Sequence, residues 1–193
     1  GHIDLNTLGA NSGNDCWGWT DPSTGKEYAL MGLNTGTSFI DISVLEFPRI
    51  VGFLPTHTTN SSWRDIKTFG NYAFIVSEAS EHGMQVFDLT KLRSIALGSP
   101  LVTFTEDAHY NGFGKAHNIV INETRGYAYA VGTNTYSGGP HFIDITNPLN
   151  PTAAGGYGND AYSHDAQVVT YNGPDSDYTG KEILIGSNQN EVV

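Results

Sequence analysis

The sequence contains a single cysteine, Cys16, so no internal disulfide framework can hold the fold, and one thiol does not define a redox compartment. Basic residues are scarce too: nine Lys and Arg stand against twenty Asp and Glu, for a formal net charge of -11. So few cations cannot neutralise a run of phosphates, which argues against nucleic acid or an anionic membrane surface as partner. No apolar run is long enough to cross a bilayer, so no membrane insertion is expected within this segment. Nothing has the pattern of a secretory leader and the first residue is Gly rather than Met, which leaves targeting unreadable. No stretch sustains a helical period, and phosphate loops, dinucleotide fingerprints and zinc-finger spacings are absent. Nucleophilic catalysis finds little support. No Ser sits in a strand-to-helix elbow, and Ser163 and His164 are neighbours on an extended chain, where their side chains point to opposite sides.

What the chain does have is glycine, 23 of them, with Val, Ile, Tyr, Phe and Thr between, a composition that favours many short strands. Its 193 residues are enough for one sizeable core. They also repeat. Setting "NDCWGWTDPSTGKEYALMG", "RDIKTFGNYAFIVS", "HNIVINETRGYAYAVG" and "HDAQVVTYNGPDSDYTGKEILIG" under one another aligns Asp15, Asp65, Asn118 and Asp165, roughly 50 residues apart. A third strand ending in an acid follows in three of the units, at Asp41, Asp88 and Asp144, and then a weaker fourth: "RIVGFLP", "PLVTFTE" and "PTAAGGYG". Four antiparallel strands joined by tight turns such as "FGN" and "NETRG" make one blade of a β-propeller, and the two-residue period excludes helical solenoids. The expectation is an all-β chain forming a single β-propeller domain over 1–193, with blade units near 14–59, 60–112, 113–160 and 161–193. "GHIDL" reads as a fourth strand preceding the first full blade, and "SNQNEVV" stops where a third strand should begin, so the domain is expected to be incomplete at both ends.

The third strands with their "[IV]D[IL][ST]" endings resemble the LVIVD repeat. "NDCWGWTDPSTGKEYALMGLNTGTSFIDIS", "SSWRDIK", "NYAFIVSEASEHGMQVFDLT", "AHNIVINE" and "SHDAQVV" are similar to the choice-of-anchor B family of surface and secreted proteins, over nearly the whole chain. The resemblance implies an exported β-propeller tethered by different anchors in different members, with no established catalysis. Cys16 departs from it, standing where the family usually has an aliphatic residue.

In a propeller blade the first strand starts on one face of the disc, and the loop leading to it and the hairpin between strands two and three open on that face. This puts His57 and His109 in loops leading to first strands, His117 and His164 at first-strand starts, and His82 and His141 in the hairpins, all on one face; only His2 lies elsewhere. His117 and His164 share a repeat position with Asn14 and Arg64 and should be neighbours at the mouth of a channel. With His109, His141, Glu106 and Asp107 they form the candidate metal set. Imidazole with carboxylate suits zinc or another first-row divalent ion, and carboxylates with carbonyls alone would suit calcium. A second set, Arg64, Trp63, Glu78 and His82, is the candidate ligand surface: the guanidinium for a carboxylate, or simply paired with a nearby Asp, and the indole as a wall for a sugar or peptide. Trp17 and Trp19 stand near first-strand starts as Trp63 does and offer the same wall, but for all three the wedge between neighbouring blades is the stronger reading. Asp15, Asp65, Asn118, Asp165, Asp41, Asp88 and Asp144 read as structural acceptors that bind backbone N–H groups at turns.

Two sequons, at Asn60 and Asn122, stand in polar connections where a glycan would be tolerated. The function this predicts is an extracellular or cell-surface, non-catalytic binding or structural module for an unidentified protein or glycan, with a divalent cation, zinc or calcium, on the His-rich face. A homo-oligomer or filament is a variant of the same expectation, since an unclosed sheet edge invites pairing. The alternative is a metal-dependent hydrolase with its ion at the channel mouth.

Overall fold

The structure, a computed structural model, describes residues 1–160 and 162–193, and it is all-β, built of several antiparallel sheets. The first sheet is a meander of β1 (Gly13–Thr20), β2 (Glu27–Leu33), β3 (Gly36–Asp41) and β4 (Arg49–Pro55). The second opens with β5 (Arg64–Phe69), β6 (Tyr72–Ser77) and β7 (Met84–Asp88). A 3-10 turn over Leu89–Ser94 then carries the chain to β8 (Val102–Thr103), which pairs parallel to β4 in the first sheet; β9 (Ala108–Tyr110) returns antiparallel to β7. The third sheet runs β10 (Asn118–Asn122), β11 (Tyr127–Val131), β12 (His141–Asp144) and β13 (Thr152–Gly156), and β14 (Ser163–Thr170) with β15 (Glu182–Asn188) makes the fourth. Among the described residues no helix is long and apolar enough to cross a membrane.

The strands stack because their apolar residues alternate. Successive side chains of a strand point to opposite faces, so the run "YAFIVS" of β6 serves two cores at once. Ala73 and Ile75 enter a cluster with Trp19, Tyr28, Leu30 and Phe39 of the first sheet. Phe74 and Val76 enter one with Ile119, Ala128, Ala130 and Ile143 of the third. A smaller cluster of Val120, Tyr129, Val131 and Ala166 joins the third sheet to the fourth. The sheets therefore pack face to face in chain order, with β1, β5, β10 and β14 side by side.

The recurring acceptors tie these first strands to one another. Asp15 Oδ2 accepts from Ile66 N (3.2 Å) and Asp65 Oδ2 from Ile119 N (2.7 Å), each reaching into the next sheet. Asn118, expected as an acceptor, instead donates Nδ2 to His164 O (2.9 Å), and so also reaches the next sheet. Asp15 occupies a left-handed conformation (φ 52) at a register shift between Gly13 and Cys16, and β14 shifts between Ser163 and Asp165, the same place in its unit. Such a bulge adds an unpaired residue and re-aims its side chain. At the ends of the third strands, Asp41, Asp88 and Asp144 each accept from the N–H two residues on, at Ser43, Thr90 and Thr146 (3.1, 2.9 and 2.9 Å), which closes an Asx turn.

Two expectations about strands need correction. Residues 2–5 form no strand; the chain there enters turns over 5–9. "PLVTFTE" does contain a strand, but that strand, β8, belongs to the first sheet, and the fourth strand of the second sheet is "AHY". The cause is the 3-10 turn: Leu89 and Leu92 bury themselves in the core between the first two sheets, with Phe104 packed against it. Phe104 N then bonds Phe53 O (2.8 Å), and Gly52 leaves room for its ring, since a Cβ there would meet it at 2.2 Å. His109 thus lies within β9, opposite Gln85, rather than in a loop.

Candidate functional site

In the first three sheets the first strand begins, the second ends and the third begins at the same end, as the pairs Gly13↔Leu33, Leu33↔Gly36, Arg64↔Ser77, Val76↔Met84, Asn118↔Val131 and Ala130↔His141 show, and in the fourth β14 begins where β15 ends, at Ser163↔Asn188. His57, His82, His109, His117, His141 and His164 all sit at this end. They do not form one cluster.

The first group joins the second, third and fourth sheets. His117 Nδ1 donates to Glu78 Oε1 (2.5 Å), and its ring lies 4.2 Å from that of His164 and 5.8 Å from that of Trp63, centroid to centroid. Trp63 is 49% exposed and His164 is exposed, so the group is open to solvent. Its supports are firm: Trp63 O accepts from Ser77 Oγ (2.9 Å) and from Glu78 N (3.2 Å), and His117 N bonds Val131 O (2.9 Å). Tyr162, which did not stand out in the sequence, is part of this surface. Its hydroxyl lies, with His117 Cβ, against Gly132, whose positive φ (63) and missing side chain admit both. Burial, and then the Glu78 carboxylate, raise the Tyr162 phenol above its ordinary value, so it stays a neutral donor.

The second group joins the first two sheets. His57, just past β4, stacks on His109 with centroids 3.7 Å apart and planes 10° apart, and its Nδ1 bonds Glu106 Oε1 (2.8 Å). Gln85 Nε2 donates to Glu106 Oε2 (2.6 Å) and to Pro55 O (3.0 Å), fixing the carboxylate. His109 Nε2 donates to His82 O (2.7 Å).

Beneath lies a fully buried pair. Arg64 Nη1 donates to His82 Nε2 (3.0 Å), and His82 Nδ1 donates to Gly83 O (3.0 Å). The single lone pair of the neutral ring is thereby in use, and protonating it would set two donors face to face. Burial, then the Arg64 charge, push the His82 pKa down to about 3. Arg64 Nε donates to Leu33 O (3.1 Å), Nη2 finds no hydrogen-bond partner among the described residues, and burial brings the guanidinium pKa down to about 10.

The structure therefore places the predicted residues in several locations. His117, His164, Glu78 and Trp63 come together, as do His109 and Glu106, and His57 joins that second set although the sequence gave no reason to name it as a ligand. Arg64 and His82 are buried rather than facing a ligand, and Arg64 is paired with no acid among the described residues. Asp107 points away, accepting from Asp88 N (2.8 Å) and from Lys91 Nζ. His141 is buried between Tyr110 Oη (2.8 Å) and Thr135 Oγ1 (2.9 Å), and burial lowers its pKa. Trp19 is a wedge, stacked on Tyr28 with Nε1 on Gly70 O (3.2 Å), while Trp17 Nε1 bonds Thr68 Oγ1 (3.1 Å).

The sequons differ as well. Asn60 is exposed, but Asn122 closes β10, is 6% exposed and spends Nδ2 on Thr170 Oγ1 (3.2 Å), the very nitrogen a glycan would occupy. Expressed in a glycosylating host, the protein is expected to carry glycan at Asn60 only; peptide mapping by mass spectrometry that found Asn122 occupied in folded protein would contradict this packing.

No family model matches the chain, and no curated protein matches it.

Proposed function

We infer that the chain is a β-propeller module of an exported or cell-surface protein, of the choice-of-anchor B kind its LVIVD-like repeats resemble, and that it binds rather than transforms its ligand. The four first strands standing in chain order, with antiparallel strands following each, support the propeller reading. The observation that carries the binding reading is the open group of Trp63, Glu78, His117, Tyr162 and His164. An exposed indole offers an apolar face to the C–H side of a pyranose ring, and the imidazoles, carboxylate and phenol beside it can bond hydroxyls. Glycans are therefore the ligand class it fits. The group lacks the parts of a nucleophilic engine: no Ser or Cys hydrogen-bonds to His117 or His164 among the described residues.

A glycan array probed with the tag-free protein is expected to retain a defined set of oligosaccharides. For the best of them, Trp63→Ala and His117→Ala should each weaken binding by about tenfold or more, the range of a buried aromatic or charge-assisted contact. Retention of no oligosaccharide, or binding indifferent to Trp63→Ala, would remove this reading. Hydrolysis of an ester, lactone or phosphate, abolished by His117→Ala, would replace it with the hydrolase.

A further inference from the structure

Among the described residues, one set of three His, Cys, Asp or Glu side chains brings its ligand atoms within 4.8 Å of one another: His57, Glu106 and His109. We propose that these three form a site for a first-row divalent transition metal, zinc being the ion of choice, at the junction of the first and second sheets. The proposal is independent of the glycan reading, which concerns the neighbouring group.

The fold builds this site through the parallel pairing of β8 with β4. That pairing lays residues 104–106 beside the end of β4 and so brings Glu106 to His57, 49 residues away in sequence. β9 then sets His109 opposite Gln85. The atoms not needed for a metal are already engaged. A carbonyl can only accept, so the His109 Nε2 proton is fixed on His82 O, and the free lone pair of the neutral ring is on Nδ1. Gln85 holds Glu106 Oε2, leaving Oε1 toward the imidazoles. Backbone carbonyls and amides that orient ligands in this way are the usual outer shell of a metal site. Two imidazoles and one carboxylate favour zinc, iron or cobalt over calcium, which prefers oxygen throughout. Three protein ligands also leave room for water.

One rearrangement is required. A metal–imidazole bond lies in the ring plane, and two rings 10° from parallel and 3.7 Å apart cannot both aim at one ion. His57 is the exposed member, carried on the connection between β4 and β5, and it must swing off His109 to bind. The stack and the bond to Glu106 hold it beside its own ligand set.

Calorimetric titration of tag-free protein with zinc chloride is expected to show one equivalent bound, and cobalt(II) in its place should give the intense visible absorption of a low-coordinate site. His57→Ala, Glu106→Gln and His109→Ala should each weaken zinc by about tenfold or more, outer-shell losses alone reaching that range. His117→Ala and His164→Ala should leave it unchanged. Because His57 is exposed, its alanine variant tests the site without threatening the fold, which circular dichroism checks. Folded protein that takes up no zinc, zinc uptake unaltered by His57→Ala, or uptake lost instead with His117→Ala would each overturn the proposal. Failure to bind any glycan would not bear on it.

Discussion

Phe39→Ala is expected to remove about 3–5 kcal/mol of folding stability, the cost of deleting a buried aromatic ring and leaving much of its volume empty. Phe39 is fully buried on the middle strand of its half of the first core. It lies between Leu30 on β2 and Gly52 on β4, stacks on Phe87 of the second sheet at 4.6 Å, and meets the Phe104 ring edge-on at 6.1 Å. The ring thus contacts both sheets and the excursion that carries β8, and no neighbour can collapse into the space without breaking one of those packings. Urea unfolding followed by circular dichroism measures the loss, and Phe39→Leu, which keeps most of the volume, should lose clearly less. A loss below about 1 kcal/mol for the alanine variant would mean that the interface between the first two sheets is not packed as described.

How much of this was readable beforehand depends on how local the cause is. The first strands were legible because both their signals are local: alternation within each strand and an Asp or Asn at the same place in each unit. The turn-closing roles of Asp41, Asp88 and Asp144 were legible for the same reason, since their partners lie two residues on. The neighbourhood of His117 and His164 followed from their equivalent positions once the units stand side by side. What was not legible was which sheet edge a strand joins. Val102 and Phe104 alternate like any strand, and nothing in that alternation says that Leu89 and Leu92 will steer the segment back onto β4. The pairing of His57 with Glu106 was not legible for the same reason, since Glu106 arrives only through that strand pairing. Asn122 was misplaced because "NETRG" carries the residues of a turn, yet the turn begins one residue later: Asn122 is the last residue of β10, paired with Tyr127, and its carbonyl takes the N–H groups of Arg125 and Gly126. Arg64 reads as a cation open to a ligand because no local signal marks its burial: its partners His82 and Leu33 O lie 18 and 31 residues away.

Asp65→Asn should change the pH dependence of stability, gaining on the parent protein by about 3 kcal/mol between pH 5 and pH 8, because about two pKa units of the shift lie above pH 5 and each is worth about 1.4 kcal/mol. Asp65 is buried between the first strands, in a cavity of about 220 Å³ that Asp15, Lys67, Asn118 and Asp165 also line. Burial first, and the adjacent Asp15 carboxyl second, raise its pKa from 3.8 to about 7, against the pull of Lys67 Nζ at 2.5 Å. The unfolded chain releases this proton near 3.8 and the folded chain near 7, so between those values the folded state holds the extra proton. Stability from this group therefore falls as pH rises through that window and is level above it. His82, with its pKa pushed down to about 3, works in the opposite sense between there and its ordinary 6.5. The readout is accordingly the difference between parent and variant at each pH, in which the His82 contribution cancels. The carboxylate takes Ile66 N on Oδ1 (2.8 Å) and Ile119 N on Oδ2 (2.7 Å); asparagine keeps one of these acceptors and sets its Nδ2 against the other N–H, a cost that does not change with pH and so leaves the parent-to-variant slope intact. Asp65→Ala removes the acceptor too; it strands a buried N–H and should be the less stable variant at every pH, by about 1–3 kcal/mol. Chemical denaturation of the three proteins at pH 5 and pH 8 decides the matter. A parent-to-asparagine difference that does not move with pH would show that Asp65 is ionised throughout, its charge settled by Lys67 and the two backbone donors.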